Sequence, residues 1–292
     1  MTLDNRIIKD LSELYNGGNT PGVIQGALDL DGLIQAKSGQ TSFATKALPG
    51  YYTGKRDAKT VMVMLNPGMD VDEANHNLKC DICKRSMKNA NDIVAYHKWC
   101  KDYGHIDNWR FDNFDVKQAF FLKNWKNTGI SLPANLCATN KNDRQTFLNA
   151  KEAVLTQKLQ LELIPYASSS FSNFAKGMIP KVFPFVETLL DEIFSHDRNY
   201  VIFCSRKFEH VFKEYNNAHP NSIDFIGTCS KTIRGSKIKG SCTKIRIHYN
   251  NKSLDAIIAH TFSNQALPNA YDKMEDYGDF CYNVYNMKSM IP

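Results

Sequence analysis

The chain has 292 residues, of which 42% are hydrophobic and 23% are charged, and its formal net charge is +6. These values are typical of a globular protein with a large core, and they exclude a disordered chain, a collagen and a disulfide-dense mini-protein. No run of about 18 apolar residues occurs and the first segment mixes charged with apolar residues, so we expect neither a signal peptide nor a membrane partner. Eight cysteines without a secretion signal are expected to be reduced thiols or metal ligands, which predicts a cytoplasmic protein.

The first segment carries a helical pattern. The apolar residues Ile7, Ile8, Leu11, Leu14 and Tyr15 lie at helical spacing and are followed by Gly17 and Gly18. This spacing predicts an amphipathic helix that ends in a turn.

Strand and helix patterns then alternate along the chain. Continuous apolar runs predict buried strands at residues 61–65, 159–165, 200–204 and 254–260. Helical patterns lie between and after them, at residues 146–157, 181–194, 207–215 and 270–287. The alternation predicts an α/β fold, with three α/β/α layers around a mostly parallel sheet. Ligands of such sheets bind beyond the carboxyl ends of the strands, where Asn66, Pro165, Ser205 and His260 lie in the sequence.

Two regions depart from this alternation. Residues 71–145 are predicted to be an insertion with its own small core, which could engage a protein partner. Residues 228–250 contain Gly-Ser pairs beside alternating residues and predict a basic hairpin or loop. With these additions, we expect a single domain over residues 1–292.

The excess of positive charge is concentrated in one segment. Between Asp224 and Asp255 there is no acidic residue, while seven residues are basic. They are Lys231, Arg234, Lys237, Lys239, Lys244, Arg246 and Lys252. Such a segment is typical of a surface that contacts the phosphate backbone, so we expect DNA as a partner, with all but Lys252 as candidate contacts. The alternative is a solvated, lysine-rich hairpin.

The insertion contains a pattern of metal ligands. Cys80, Cys83, His97 and Cys100 have the form C-x2-C-x13-H-x2-C, which suits a tetrahedral structural zinc. If Cys137 replaced His97, four thiolates could hold an iron–sulfur cluster. The alternative is that these cysteines are reduced and packed as small apolar residues.

Motifs of several enzyme classes are missing. Residues 50–56 approach a phosphate-binding loop but are one residue short, and Arg56 stands where a hydroxyl must bind the metal. No GxGxxG follows a strand, and the chain has no GxSxG nucleophile elbow. We therefore expect no nucleotide cofactor.

Two strand ends carry candidate catalytic residues. The first buried strand runs into Asn66, Pro67 and Gly68, where a tight turn presents an amide side chain. The run 254–260 ends in His260, whose ring can donate to an oxygen that gains negative charge. Taken singly, each has a structural alternative, a type I or II turn for the first and a core histidine for the second.

In this order, these elements resemble the uracil-DNA glycosylase superfamily, whose members have an α/β/α fold. One branch has Asn-Pro-Gly after the first buried strand, similar to Asn66-Pro67-Gly68, and a late strand ends in a histidine, similar to His260. Residues 161–166 and 200–212 resemble the central strand and a later strand-helix unit. The resemblance covers residues 58–70 and 155–290, and some branches carry an iron–sulfur cluster.

The resemblance implies a mechanism. Asn66 would position a water against the sugar carbon of a flipped nucleotide, and His260 would hydrogen-bond the departing base. Pro67, Gly68, Glu162 and Tyr166 would form the base pocket. The aromatic residue that stacks on the base could be Tyr166, Phe171, Phe174 or Trp99, and the sequence does not choose among them. Glu162 replaces a family asparagine and would suit a base that presents amino donors, which favours a modified or damaged base over uracil.

The segment after His260 would contact the duplex, with Ser263 and Gln265 as contacts and Phe262, Gln265 and Leu267 as candidate wedge residues. The resemblance thus predicts a DNA glycosylase acting in base excision and DNA repair. One alternative is a catalytically silent nucleic-acid-binding or partner-binding protein on the same fold, for example one that recognises foreign DNA. The other alternative is a hydrolase of free nucleosides.

Overall fold

A computed structural model of the chain describes residues 1–15, 21–35, 42–68, 71, 113–140, 142–169, 171–237, 239–262 and 270–287. In this part of the chain the α-helices are α1 (Leu3–Leu14), α2 (Gln25–Asp29), α3 (Asn113–Leu122), α4 (Arg144–Gln157), α5 (Phe183–Phe194), α6 (Lys207–Ala218) and α7 (Tyr271–Asn286). The strands are β1 (Ile34–Gln35), β2 (Tyr52–Gly54), β3 (Thr60–Met64), β4 (Leu159–Glu162), β5 (Asn173–Phe174), β6 (Tyr200–Phe203), β7 (Ile223–Thr232), β8 (Lys239–Tyr249) and β9 (Lys252–Ile258). A 3-10 turn, Ile179–Val182, precedes α5.

The fold is α/β, as the sequence predicted. One sheet has seven strands in the order β2-β4-β3-β6-β9-β8-β7, and β1 pairs with β5 separately. Strands β3, β6 and β9 are parallel, whereas β8 is antiparallel to both β9 and β7, so the sheet is mixed around a parallel core. The four predicted strands are β3, β4, β6 and β9, and the predicted hairpin at residues 228–250 is formed by β7 and β8. Among the described helices, none combines the length and the apolar character needed to cross a bilayer.

The chain divides into two compact units. Unit 1 comprises Met1–Thr53, Met64–Gly104 and Leu161–Ser195. Its helix α1 is amphipathic, as predicted, and buries Leu3, Ile7, Leu11 and Leu14, whereas Ile8 of the predicted pattern is exposed. The same face of α1 also buries Asp10.

Asp10 is the centre of a buried polar cluster in unit 1. Its Oδ2 accepts hydrogen bonds from the hydroxyls of Tyr51, at 2.8 Å, and Tyr166, at 2.9 Å. Burial raises the pKa of Asp10, although the two hydroxyls oppose the change. The phenols are satisfied by the carboxylate, so this cluster stabilises the core without leaving their donors unmet.

Unit 2 comprises Gly54–Val63, His105–Gln160 and His196–Pro292. Val61 and Val63 of β3 pair with Val201 and Phe203 of β6, and Ile202 of β6 pairs with Ile257 of β9. These strand residues are all but inaccessible to solvent, which explains why their sequence is continuously apolar rather than alternating.

Helices α6 and α7 cover opposite faces of β8 in unit 2. Thr243 donates to Glu209 of α6, whereas the next residue, Lys244, donates to the carbonyl of Tyr285 in α7. Successive side chains of a strand point to opposite faces, so the two helices form separate layers over this strand.

Candidate functional site

Asn66 lies in unit 1, two residues after the last residue of β3. Its Nδ2 donates to Ser168 Oγ at 2.7 Å and to the carbonyl of Pro67 at 3.0 Å. The backbone around it is also held, because Ser168 N donates to the carbonyl of Pro67 at 3.1 Å. With both amide hydrogens engaged, the side chain is oriented and presents Oδ1 as an acceptor.

The remaining residues of the predicted base pocket in unit 1 differ in exposure. Pro67 is half-buried and Gly68 is exposed, and no described heavy atom lies within 4 Å of the position that a side chain at Gly68 would take. Glu162, the last residue of β4, is only 8% exposed, and its backbone N–H donates to the carbonyl of Tyr51 at 3.1 Å. The base-reading role of Glu162 stays a prediction.

Tyr166 is a core residue of unit 1. It is 2% exposed, its hydroxyl is bonded to Asp10, and its ring packs edge-on against Phe43 and Phe185. Stacking on a base would require the ring to leave these contacts. The base-stacking role of Tyr166 stays a prediction.

His260 lies in unit 2, two residues after the last residue of β9. Its Nε2 is 3.2 Å from Ser241 Oγ, and its backbone N–H donates to the hydroxyl of Tyr277 at 2.8 Å. The same hydroxyl donates to the carbonyl of Ser241 at 2.7 Å, so Tyr277 of α7 ties the end of β9 to β8. The imidazole is thus held by its backbone and by a neighbouring hydroxyl.

The charges near His260 favour its neutral form. Burial lowers the pKa of His260, the positive charge of Arg206 lowers it further, and Glu209 opposes both. Arg206 forms an ion pair with Glu209 and donates to Thr243 Oγ1 at 3.2 Å. A neutral imidazole near pH 7 can donate one hydrogen bond while its other nitrogen accepts one.

Ser241, Tyr277 and Arg206 were not predicted as site residues. The sequence does hold a signal for Ser241, the Asn250-Asn251 pair, because asparagine is a residue that adopts positive φ in tight turns. Both residues have positive φ and form the two-residue turn between β8 and β9. Tyr249 pairs with Lys252 across this turn, and the same register, extended eight residues along each strand, places Ser241 opposite His260. No comparable local signal identifies Tyr277 or Arg206.

Part of the predicted DNA-binding set is engaged inside unit 2. Lys244 donates to the carbonyls of Tyr285, at 2.6 Å, and Met287, at 2.8 Å, and its side chain is 7% exposed. Arg246 Nε is 2.7 Å from Asp255 Oδ1. A phosphate contact would require this ammonium group to leave its internal partners, which favours a structural role for Lys244; its DNA contact stays a prediction.

Lys231 also has an internal partner. Its Nζ lies 2.7 Å from Asp276 Oδ1, and the backbone N–H of Arg234 donates to Asp276 Oδ2 at 3.0 Å. Burial would raise the pKa of Asp276, but these donors outweigh it and lower the pKa. The carboxylate of Asp276 therefore holds the end of β7 and the start of the turn that follows it.

Three predicted cations remain at the tip of the β7–β8 hairpin. Arg234, Lys237 and Lys239 are exposed, and within the described ranges none of their side chains pairs with a carboxylate. We call these three residues the basic tip. Among the six predicted DNA contacts of this segment, the basic tip thus comprises those that are exposed and form no described ion pair.

Several predicted residues lie outside the described residues: Cys80, Cys83, His97, Cys100, Ser263, Gln265 and Leu267. Phe262 is described and is 1% exposed, with its ring edge-on to Phe121 at 5.1 Å. A ring anchored in this way cannot serve as a wedge, so that expectation is corrected.

Of the predicted metal ligands, Cys137 alone lies in the described part of the chain, so the metal site stays a prediction. Cys137 is partly exposed, with its Sγ 3.1 Å from Thr139 Oγ1, and this hydrogen bond lowers the pKa of the thiol. In the described part of the chain, no three or more His, Cys, Asp or Glu side chains are grouped as a metal site would need.

Comparison with models of known protein families, with curated proteins and with solved structures gives no match for this chain.

Proposed function

We propose that the protein is a DNA N-glycosidase with a fold of the uracil-DNA glycosylase type, which hydrolyses the bond between deoxyribose and a modified or damaged base. The observation that carries the proposal is His260, half-buried at the end of a parallel strand, with a lowered pKa and a fixed backbone. The sequence resemblance of Asn66-Pro67-Gly68 supports it.

His260 would act on the leaving base. As the glycosidic bond breaks, negative charge develops on the base, and a neutral imidazole can donate a hydrogen bond to the atom that receives it. Burial makes this bond stronger than it would be in water, because the local dielectric constant is lower. Arg206 adds a nearby positive charge that also favours an anionic base.

Asn66 would act on the water. Its Nδ2 is held by Ser168 and Pro67, so Oδ1 is oriented to accept a hydrogen bond from a water that attacks the sugar carbon. An amide does not take the proton, so the contribution of Asn66 is positioning. The attacking oxygen becomes the hydroxyl of the abasic sugar, and the proton that it loses is balanced by protonation of the departing base anion. Asn66 and His260 each follow a strand end by two residues, the placement at which ligands of α/β sheets bind.

The basic tip would contact the phosphate backbone. Three phosphate contacts would give a slope of about −2.7 for the logarithm of the binding constant against that of the salt concentration. Replacing Lys237 and Lys239 by glutamate is expected to reduce the magnitude of this slope by about 2. The matched control is the same replacement by glutamate at Lys213, an exposed lysine on α6, which should leave the slope unchanged.

The proposal is tested by an abasic-site assay. Oligonucleotides that carry uracil, hypoxanthine, alkylated and hypermodified bases are incubated with the protein and then cleaved with alkali. Strand breaks on one of these substrates that are lost in both Asn66→Ala and His260→Ala are expected. Salt-sensitive DNA binding without any breaks would replace the proposal by the silent binder, and activity on free nucleosides alone would replace it by the nucleoside hydrolase.

A further inference from the structure

The ladder of main-chain hydrogen bonds between β8 and β9 ends just before His260. Its last pair joins Thr243 to Ile258. The residues beside the two-residue turn exchange main-chain hydrogen bonds, and such pairs recur at every second position along an antiparallel ladder. Counted from this turn, Thr243–Ile258 and Ser241–His260 are both positions of this kind. In a regular ladder, the N–H of His260 would therefore donate directly to the carbonyl of Ser241.

A phenol oxygen lies where this direct bond would form. The N–H of His260 donates to the hydroxyl of Tyr277 at 2.8 Å, and that hydroxyl donates to the carbonyl of Ser241 at 2.7 Å. Two hydrogen bonds that meet at one oxygen hold the nitrogen and the carbonyl oxygen about 4–5 Å apart, compared with about 2.9 Å in a direct bond. The hydroxyl of Tyr277 thus satisfies both main-chain groups and at the same time separates the two strands.

Two glycines allow the ring of Tyr277 to reach the ladder. Gly240 of β8 leaves room for the ring, because a Cβ at this position would lie 2.7 Å from the ring atom Cδ2 of Tyr277. Gly278 of α7 brings the helix close to α3, since a Cβ there would clash with the carbonyl of Phe121. The carbonyl of Gly278 also accepts a hydrogen bond from Trp125 Nε1 at 3.0 Å. These contacts hold the ring, which is 1% exposed, beside the strand end.

The opening of the ladder affects the position of the imidazole. The ring centres of His260 and Tyr277 are 5.8 Å apart, and His260 Nε2 lies 3.2 Å from Ser241 Oγ. A direct ladder bond would draw the main chain of His260 toward β8 by about 1–2 Å, and the imidazole would move with it. A local break in a ladder can aim a side chain in this way, and such breaks are frequent next to active sites.

We propose that Tyr277 is a positioning residue of the glycosidase site, because its hydroxyl opens the ladder between Ser241 and His260 and so sets the place from which the imidazole reaches the departing base. The catalytic part of this inference rests on the function proposed above for His260, whereas the opened ladder does not depend on it. Burial raises the pKa of Tyr277 well above its usual value, so near neutral pH the hydroxyl stays protonated and keeps both bonds. Tyr277 thus acts through His260.

The variant Tyr277→Phe removes the hydroxyl and keeps the ring. In ¹⁵N NMR spectra of the full chain without DNA, we expect changed imidazole resonances for His260 and unchanged ones for His248, which lies further along β8. The matched control is Tyr285→Phe, because Tyr285 is on the same helix and its hydroxyl also donates to a carbonyl, that of Asn199, at 2.7 Å. This control should leave the resonances of His260 unchanged. Unchanged His260 resonances in Tyr277→Phe would overturn the proposal.

A second variant changes the same geometry without removing the hydroxyl. In Gly240→Ala, the new Cβ would displace the ring of Tyr277, so we expect the His260 resonances to change here as well. Thermal unfolding curves show which variants are folded. A folded Gly240→Ala protein with the His260 resonances and the rate of base release of the wild type would contradict the proposal, independently of whether Tyr277→Phe folds.

Single-turnover base release then tests the positioning role. On the substrate that the wild-type protein processes fastest, Tyr277→Phe is expected to lower the maximal rate at least about tenfold, since a small displacement of a reacting group is costly. The half-saturating DNA concentration should stay within about twofold, because the basic tip is unchanged. Tyr285→Phe should match the wild type in both quantities.

Two results of this measurement have different meanings. An unchanged maximal rate in folded Tyr277→Phe would overturn the positioning role and leave the glycosidase itself intact. Absence of base release by the wild-type protein would overturn the proposed function, and with it the catalytic part of this inference, while the NMR result would still decide whether the hydroxyl of Tyr277 sets the position of His260.

Discussion

Replacing Lys244 by methionine tests whether this residue stabilises the fold or contacts DNA. Its Nζ donates to two carbonyls at the end of α7, Tyr285 O at 2.6 Å and Met287 O at 2.8 Å, and lies 3.3 Å from Asp255 Oδ2. Methionine keeps most of the aliphatic stem, so the substitution removes the charge and its bonds with little loss of packing.

The expected destabilisation follows from these contacts. Each hydrogen bond from a charged donor contributes about 1.5–3 kcal/mol, and a cation near a helix carboxyl end adds up to about 1 kcal/mol. In the variant, water can reach the exposed Met287 and replace part of the lost hydrogen-bond energy, and Asp255 keeps its partner Arg246. We therefore expect the free energy of unfolding to fall by about 2–3 kcal/mol.

The assay is urea denaturation followed by circular dichroism, with DNA affinity measured on the same samples. Lys239→Met is the matched control, since Lys239 lies on the same strand but is exposed. Its stability should change by less than about 0.5 kcal/mol, while its DNA affinity falls. Equal stabilities in the two variants, with the larger loss of DNA affinity in Lys244→Met, would refute the structural role of Lys244.

Three further predictions concern α7 and His260. Gly278→Ala should destabilise the protein by about 3 kcal/mol in thermal unfolding, because the new Cβ would lie 1.9 Å from the carbonyl of Phe121; helix propensity alone predicts a gain. Burial lowers the pKa of His260 below its unfolded value of 6.5, so the folded protein should lose stability as the pH falls from 6.5 through the lower, folded-state pKa. His260→Gln should therefore flatten the pH dependence of unfolding between about pH 7 and 5, and an unchanged slope would contradict this. Ser241→Ala removes the hydroxyl that lies 3.2 Å from His260 Nε2 and should change the tautomer ratio of His260 in ¹⁵N NMR spectra. The control Ser253→Ala removes a hydroxyl beside His248 and should leave the tautomer ratio of His260 unchanged.

The elements with strong local patterns could be predicted from the sequence. The run at residues 61–65 became β3, Thr60–Met64, because both faces of this strand are buried and the segment after it turns at Asn66. The helical pattern at residues 270–287 became α7, Tyr271–Asn286, whose buried face includes Met274, Tyr277 and Cys281. In these segments periodicity and burial agree, so local sequence is sufficient.

The environments of single side chains depended on distant partners. Lys244 is one of several lysines in a basic segment, and only the packing of α7 on β8 shows that it is buried. Tyr166 follows a strand end, where a ligand contact was expected. Its hydroxyl instead donates a hydrogen bond to Asp10, which lies 156 residues away in the sequence. Such contacts leave no local signal, so the sequence could not show which of the predicted DNA-binding and base-pocket residues also have partners inside the protein.

The most direct test of the account is a single-turnover measurement of base release by the His260→Ala variant. The reference is His248→Ala, which removes a half-buried histidine of β8 that is paired with Asp224. On the substrate that the wild-type protein processes fastest, the rate of base release should be at least about 100-fold lower in His260→Ala than in the wild-type protein. The rate should be unchanged in His248→Ala. Equal rates in the two variants, with the fold of both intact, would contradict the proposed role of His260 and with it the proposed glycosidase mechanism.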